Sequence, residues 1–187
     1  MKKLLVLLAA LALVAVGCGG SDDADADVAG AVPFDQAFID AMVPHHQEAI
    51  EMAEAAKARG LSQADLDQIA SDITTSQEQE IDQMLAWREQ WFGSRRLGPV
   101  LPEVLGVPES ELGMEHGSAD EVAGAVYVDE TFAQMMIRHH EGAIAMAEAA
   151  RERGEHDEVK ELADTIIEAQ EREIGIMEEH AAGEHHG

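Results

Sequence analysis

Residues 35–60 and 129–154 are one segment written twice. At an offset of 94, with no gap, fourteen of twenty-six positions are identical, among them Asp35/Asp129, Phe38/Phe132, Met42/Met136, His45/His139, His46/His140, Met52/Met146, Arg59/Arg153 and Gly60/Gly154. After a one-residue deletion the match resumes at an offset of 93. It then pairs Ala70/Ala163, Ile73/Ile166, Gln77/Gln170, Glu80/Glu173 and Met84/Met177. Two copies are too few for a solenoid, so the chain reads as one duplicated unit.

Each copy predicts two helices. The first runs from Asp35 to Arg59 and stops at Gly60, a C′ glycine. Ser62 is placed to cap the second, which reaches about Phe92. In the second copy Asp129–Arg153 ends at Gly154, and a helix from about His156 to Glu179 follows. His156, at its start, reads as a surface residue. Pro44, opposite Arg138 in the other copy, removes one helical hydrogen bond and predicts a kink near Asp40. Short loops make each copy an antiparallel αα-hairpin, and two hairpins with complementary apolar faces predict an all-α four-helix bundle. The domain then spans 34–187: repeat one to about 92, a Pro/Gly-containing connection over 93–128, repeat two over 129–180, and a His-rich tail over 181–187. Aromatic residues are only 4% of the chain, so its core must be chiefly Ala, Leu, Ile and Met.

Polar residues fall where a core should be. At about 100° per residue from Phe38, Met42 lies near 40°, His45 near 340°, His46 near 80° and Ala49 near 20°. Both histidines are inside the apolar stripe, and the second copy repeats the pattern with Met136, His139, His140 and Met146. On the second helices Glu80 sits between Ile73 and Met84, and Glu173 between Ile166 and Met177. A buried carboxylate needs a cation, a histidine or a proton. Imidazole suits copper, zinc, nickel and iron, while thioether sulfur selects chiefly for copper. The candidate metal ligands are therefore His45, His46, Met42, Met52, Met84 and Glu80, with His139, His140, Met136, Met146, Met177 and Glu173. They form either one shared core site or two. Weaker metal signals lie at Met114-Glu115-His116 and at His180, His185 and His186.

Charge narrows the partners. Twelve Lys and Arg against 38 Asp and Glu give −26. That sign opposes nucleic-acid binding, which needs a basic footprint, and favours cations. The start of the chain is an address. Met1-Lys2-Lys3 precedes a thirteen-residue apolar run, too short for an ordinary membrane span, which leads to Ala15-Val16-Gly17-Cys18. This resembles a bacterial lipoprotein signal over residues 1–17, with Ala where Leu is commoner three before the cysteine. Cys18 would carry the lipid, and acidic residues 18–33 would form a flexible tether. The expectation is an exported protein held at the extracytoplasmic face of the cell membrane.

The segments Ala41-Met42-Val43-Pro44-His45-His46-Gln47-Glu48-Ala49-Ile50-Glu51-Met52-Ala53 and Met136-Ile137-Arg138-His139-His140-Glu141-Gly142-Ala143-Ile144-Ala145-Met146-Ala147 resemble the signature of the bacterial family of the domain of unknown function 305. Gln77–Met84, with Trp87 beyond it, is also similar to that family. The resemblance covers residues 34–180. It implies a ferritin-like four-helix bundle, usually exported, with copper binding in some members. It carries over His45, His46, His139, His140, Met42, Met52, Met136, Met146, Met84 and Met177 by position. Copy two departs at Arg138 and Gly142 and lacks a Trp matching Trp87.

The leading expectation is a copper-binding lipoprotein that sequesters the ion or hands it on. One alternative is a carboxylate-bridged di-metal oxidase, although neither His-bearing helix carries Glu-x-x-His. The other is an interaction module in which buried His–Glu pairs fix helix register.

Overall fold

The computed structural model describes residues 32–114 and 117–181. The signal segment, Cys18, most of the tether, Glu115, His116 and the tail from residue 182, with His185 and His186, lie outside them. The described chain is all-helical. Four long helices, α1 (Phe34–Arg59), α2 (Ala64–Phe92), α5 (Val128–Arg153) and α6 (Asp157–Ala181), form the bundle. The connection folds into α3 (Pro102–Leu105), a 3-10 turn (Glu109–Glu111) and α4 (Ala119–Gly124). Among the described residues no helix is long and apolar enough to cross a membrane.

α1 runs through Pro44 as one helix and ends at Gly60, whose φ of 85° is the left-handed geometry expected of a C′ glycine. Gly154 ends α5 differently. Its φ is −54°, and a Cβ there would lie 2.7 Å from the Ala150 carbonyl oxygen. Close approach, not handedness, accounts for this second glycine.

Each hairpin pairs its own two helices, α1 with α2 and α5 with α6. α1 also lies against α5, whereas α2 and α6 touch only lightly. The two first helices run antiparallel. One half of the core joins Phe34–Val43 from the start of α1 to Ala143–Ala150 from the end of α5. The other half joins Ala49–Ala56 to Phe132–Met136. Val104, Leu105, Val107 and Leu112 of the connection close the first half, and Val122 closes the second.

Identical residues in the copies make equivalent ties. Buried Asp35 accepts the N–H groups of Glu155 and His156, both at 2.9 Å, at the start of α6. Asp129 does the same for copy one, accepting the Ser62 N–H at 2.9 Å and bonding its hydroxyl. Ser62 therefore does not cap α2, which begins after Gln63 with no side-chain cap. Its hydroxyl ties one repeat to the other. His156 is likewise not a free surface residue. Its Nδ1 lies 2.6 Å from Asp35, and its ring stacks on Trp91 at 3.8 Å. Trp91 in turn stacks on Trp87. Arg59 and Arg153 each hold the connection, Arg59 through the Ala123 and Ala125 carbonyls and Arg153 through that of Leu105.

One pair of equivalent positions has diverged. In copy one Arg88 donates from Nε to buried Asp40 at 2.8 Å. In copy two Gln134 and Ala181 replace them, and Gln134 donates to the Ala181 carbonyl at 2.7 Å. A charged tie and a neutral one thus do the same work at corresponding places.

Gly142, where copy one has Glu48, now has a reason. A Cβ on it would lie 2.2 Å from the Leu112 carbonyl oxygen and 2.6 Å from the Gly113 nitrogen. The connection's backbone is seated on α5 at this point. Gly142→Ala is expected to destabilise the protein by about 1–3 kcal/mol, as overpacking does. Gly175, also helical, has nothing within 4 Å of its would-be Cβ. Gly175→Ala should instead stabilise by roughly 0.5–1 kcal/mol. Urea unfolding of the two variants checks the opposite signs.

Candidate metal centre

The antiparallel crossing of α1 and α5 sets one copy's motif against the other's. His45 and His139 meet there, with ring centroids 3.7 Å apart and planes inclined by 36°. Their neighbours His46 and His140 are also fully buried. The four histidines are in the core, as the helical stripe predicts, and the His45–His139 contact brings the two copies' motifs together.

The central pair is neutral at pH 7. Burial drives the His45 pKa well below 6.5, and the nearby imidazoles of His139, His46 and His140 lower it further. His139 is lowered to about 4, chiefly by burial. The Glu48 carboxylate, 3.7 Å away, opposes that shift, and His140 and His46 add to it. Neutral imidazole is the form that binds metals.

The outer pair has carboxylate partners. His46 Nε2 lies 2.7 Å from Glu80 on α2, and His140 Nε2 lies 2.6 Å from Glu173 on α6. These carboxylates are 14% and 16% exposed, and each reaches a groove between α2 and α6. Glu80 lines one of about 450 Å³ with Glu158 and Glu161. Glu173 lines another of about 530 Å³ with Asp72 and Arg172. Each carboxylate thus joins a solvent groove to a buried imidazole.

Six buried imidazole nitrogens have no hydrogen-bond partner: both on His45, both on His139, and Nδ1 on His46 and His140. Among the described residues the remaining orphans are Oε1 of Gln77, Oε1 of Gln170 and Oε2 of Glu48. An orphaned buried polar atom costs about 1–3 kcal/mol, so a group of them calls for a partner. Each neutral ring has one lone pair, so the four buried imidazoles offer four nitrogen donors, a set that fits a transition-metal cation.

The methionines sort by space rather than by repeat. Met42 and Met84 of copy one share their half of the core with Met146 of copy two. Met136 and Met177 of copy two share the other half with Met52 of copy one. All six are buried. Among the described residues no three His, Asp or Glu groups are already gathered as a cage. An ion held by three or more donors here would draw on sulfur or on side-chain adjustment.

Other sequence signals fall elsewhere. His180 bonds Asp65 at 2.8 Å, away from the motif histidines. Met114 packs on the first half of the core. Three polar residues with a buried, unbonded oxygen were not among the expected ligands. Gln77 and Gln170 are identical between copies and lie in the apolar stripe, a signal that could have found them. Glu48 has no such signal, because its counterpart is Gly142.

The family model of the domain of unknown function DUF305 matches residues 35–181. The sequence matches none of the functionally curated proteins. Among solved structures, CopM in its Cu(I)-bound form is 36% identical, with a TM-score of 0.64 over 78% of this chain and 93% of that one. CopM in its Cu(II)-bound form is also 36% identical, with a TM-score of 0.66 over 79% and 95%. Ag-bound forms of CopM match as well. A DUF305 protein from Streptomyces coelicolor is 25% identical, with a TM-score of 0.69 over 78% and 90%.

Proposed function

The chain belongs to the DUF305 family, and on that premise we propose that it is an exported, lipid-anchored protein that binds copper in its core and buffers it or hands it on. The observation that carries this reading is the buried cluster of unpaired imidazoles with buried methionines in both halves of the core. Such donors suit a soft or borderline ion, and Cu(I) above all. The likeness to CopM, whose structures hold Cu(I), Cu(II) and Ag, supports the same choice of ion.

The mechanism is coordination without turnover. His45 and His139 would supply lone pairs at the centre, with His46 and His140 beside them. Met42, Met84 and Met146 on one side, and Met52, Met136 and Met177 on the other, are the sulfur donors. Glu80 and Glu173 would offset the cation's charge. The acidic surface raises the local concentration of cations. Cys18, once lipidated, would hold the bundle near the membrane.

The test is a competition titration of residues 19–187 with Cu(I), Ag(I) and Zn(II) against chelators of known affinity. Cu(I) and Ag(I) should bind far more tightly than Zn(II). Equal, weak binding of all three would defeat the reading.

A further inference from the structure

His46 and His140 differ from the central histidines in one respect. Each already holds a carboxylate through Nε2, at 2.7 Å from Glu80 and 2.6 Å from Glu173. An ionised carboxylate can only accept, so the hydrogen in each contact sits on Nε2. A neutral imidazole has one N–H and one lone pair. With the N–H at Nε2, the lone pair is at Nδ1. In both copies Nδ1 is buried and has no partner.

We propose that Glu80 and Glu173 are positioning residues that lock His46 and His140 as Nε2–H tautomers, so that the metal is taken through Nδ1 of each and not by the carboxylates. This rests on the metal-binding reading of the same site. A carboxylate on the far nitrogen of a ligating histidine fixes the ring and raises its basicity. The opposite assignment, with Glu80 or Glu173 as a ligand, would call on carboxylates that line the outer grooves. It would also leave the Nδ1 atoms as they are, lone pairs in the core with nothing to bind. The geometry is present twice, once in each repeat, and the carboxylates line the grooves outside the rings. Ring orientation is therefore set from the outside, and the coordinating atom is presented on the inside.

Nitrogen-15 NMR of residues 19–187, which include every described residue, tests this directly. In the metal-free protein at pH 8, His46 and His140 should show a protonated Nε2 and an unprotonated Nδ1. Added Ag(I) should shift Nδ1 and leave Nε2 protonated. Silver affinity should fall by about 10–100-fold when Glu80→Leu and Glu173→Leu are combined, the usual cost of losing such a partner. Glu80→Gln with Glu173→Gln keeps an acceptor oxygen and should retain most of the affinity. A proton on Nδ1, a silver-induced shift at Nε2, or an equal loss in the Gln and Leu pairs would overturn the inference while leaving the metal-binding reading intact. If silver shifted no histidine, both would fall.

Discussion

A protein carrying His45→Leu and His139→Leu is expected to bind Cu(I) or Ag(I) more than about 100-fold more weakly, since loss of an outer partner alone costs 10–100-fold. Its metal-free form should be no less stable than the parent. The reason is the state of the central rings. None of their four nitrogens makes a hydrogen bond, Glu48 standing 3.7 Å from His139, and both residues are 1% exposed or less. Leucine removes that desolvation cost and is itself at home among Met and Ala. Replacing unsatisfied buried polar groups with apolar ones of similar shape is neutral or stabilising. The two readouts therefore move apart, with affinity lost and stability kept or gained. Competition titration and urea unfolding of the same preparation measure both. A variant that lost stability and kept its affinity would assign the central histidines to architecture. The outer pair gives the contrast. His46 and His140 have hydrogen bonds to lose, so their leucine variants should be destabilised as well as weakened.

Acid is the second large lever. His139 titrates at about 4 in the folded protein and near 6.5 when unfolded. Between these values the unfolded chain holds the proton and the folded chain does not. Stability is therefore present above pH 6.5 and falls as the pH drops towards 4. A lowering from 6.5 to about 4 corresponds to roughly 3 kcal/mol, and His45 moves stability in the same direction. Carboxylate effects lie lower. Asp65, held below 3.8 mainly by its bond to His180, loses its contribution only at more acid pH. Urea midpoints of the metal-free protein should decline steadily from pH 6.5 to 4.5. The decline should be shallower in His139→Gln and shallower still in the double leucine variant. A midpoint independent of pH in this window would contradict the assignment of neutral buried imidazoles. Bound copper, by stabilising the neutral form, should hold the midpoint up at each pH.

Much of the bundle was legible because its signals are periodic. The spacing of Phe38, Met42, Ala49 and Met52 specifies a buried face, and the repetition of that spacing specifies a second, equivalent one. The histidines were readable as core residues for the same reason. A helical wheel shows which way a side chain points but not what it meets. It could place Met42 and Met146 on equivalent stripes without showing that the antiparallel crossing puts them in one half of the core. Likewise, identity between Asp35 and Asp129 marks equivalence and does not reveal that each secures the loop of the other copy. Ser62 looked like a local cap because local bonds are the ones a sequence displays. Gly142 reads in the sequence only as a departure from the motif. Its actual constraint, the backbone of Leu112 and Gly113, comes from a segment that carries no periodic signal.

The sharing of methionines between halves bears on how such a chain could arise. Each half of the core takes two of its methionines from one hairpin and the third from the other. The central ring pair takes one histidine from each. A single hairpin of this kind holds neither group of methionines whole and leaves its histidine face uncovered. Paired head to tail with an identical hairpin, it would complete both sets at once, because equivalent residues already meet at the seam. The connection from residue 93 to 128 turns that encounter between two molecules into a permanent one within a single chain. It also frees the two halves to differ, as the Asp40–Arg88 tie and its neutral Gln134 counterpart already do.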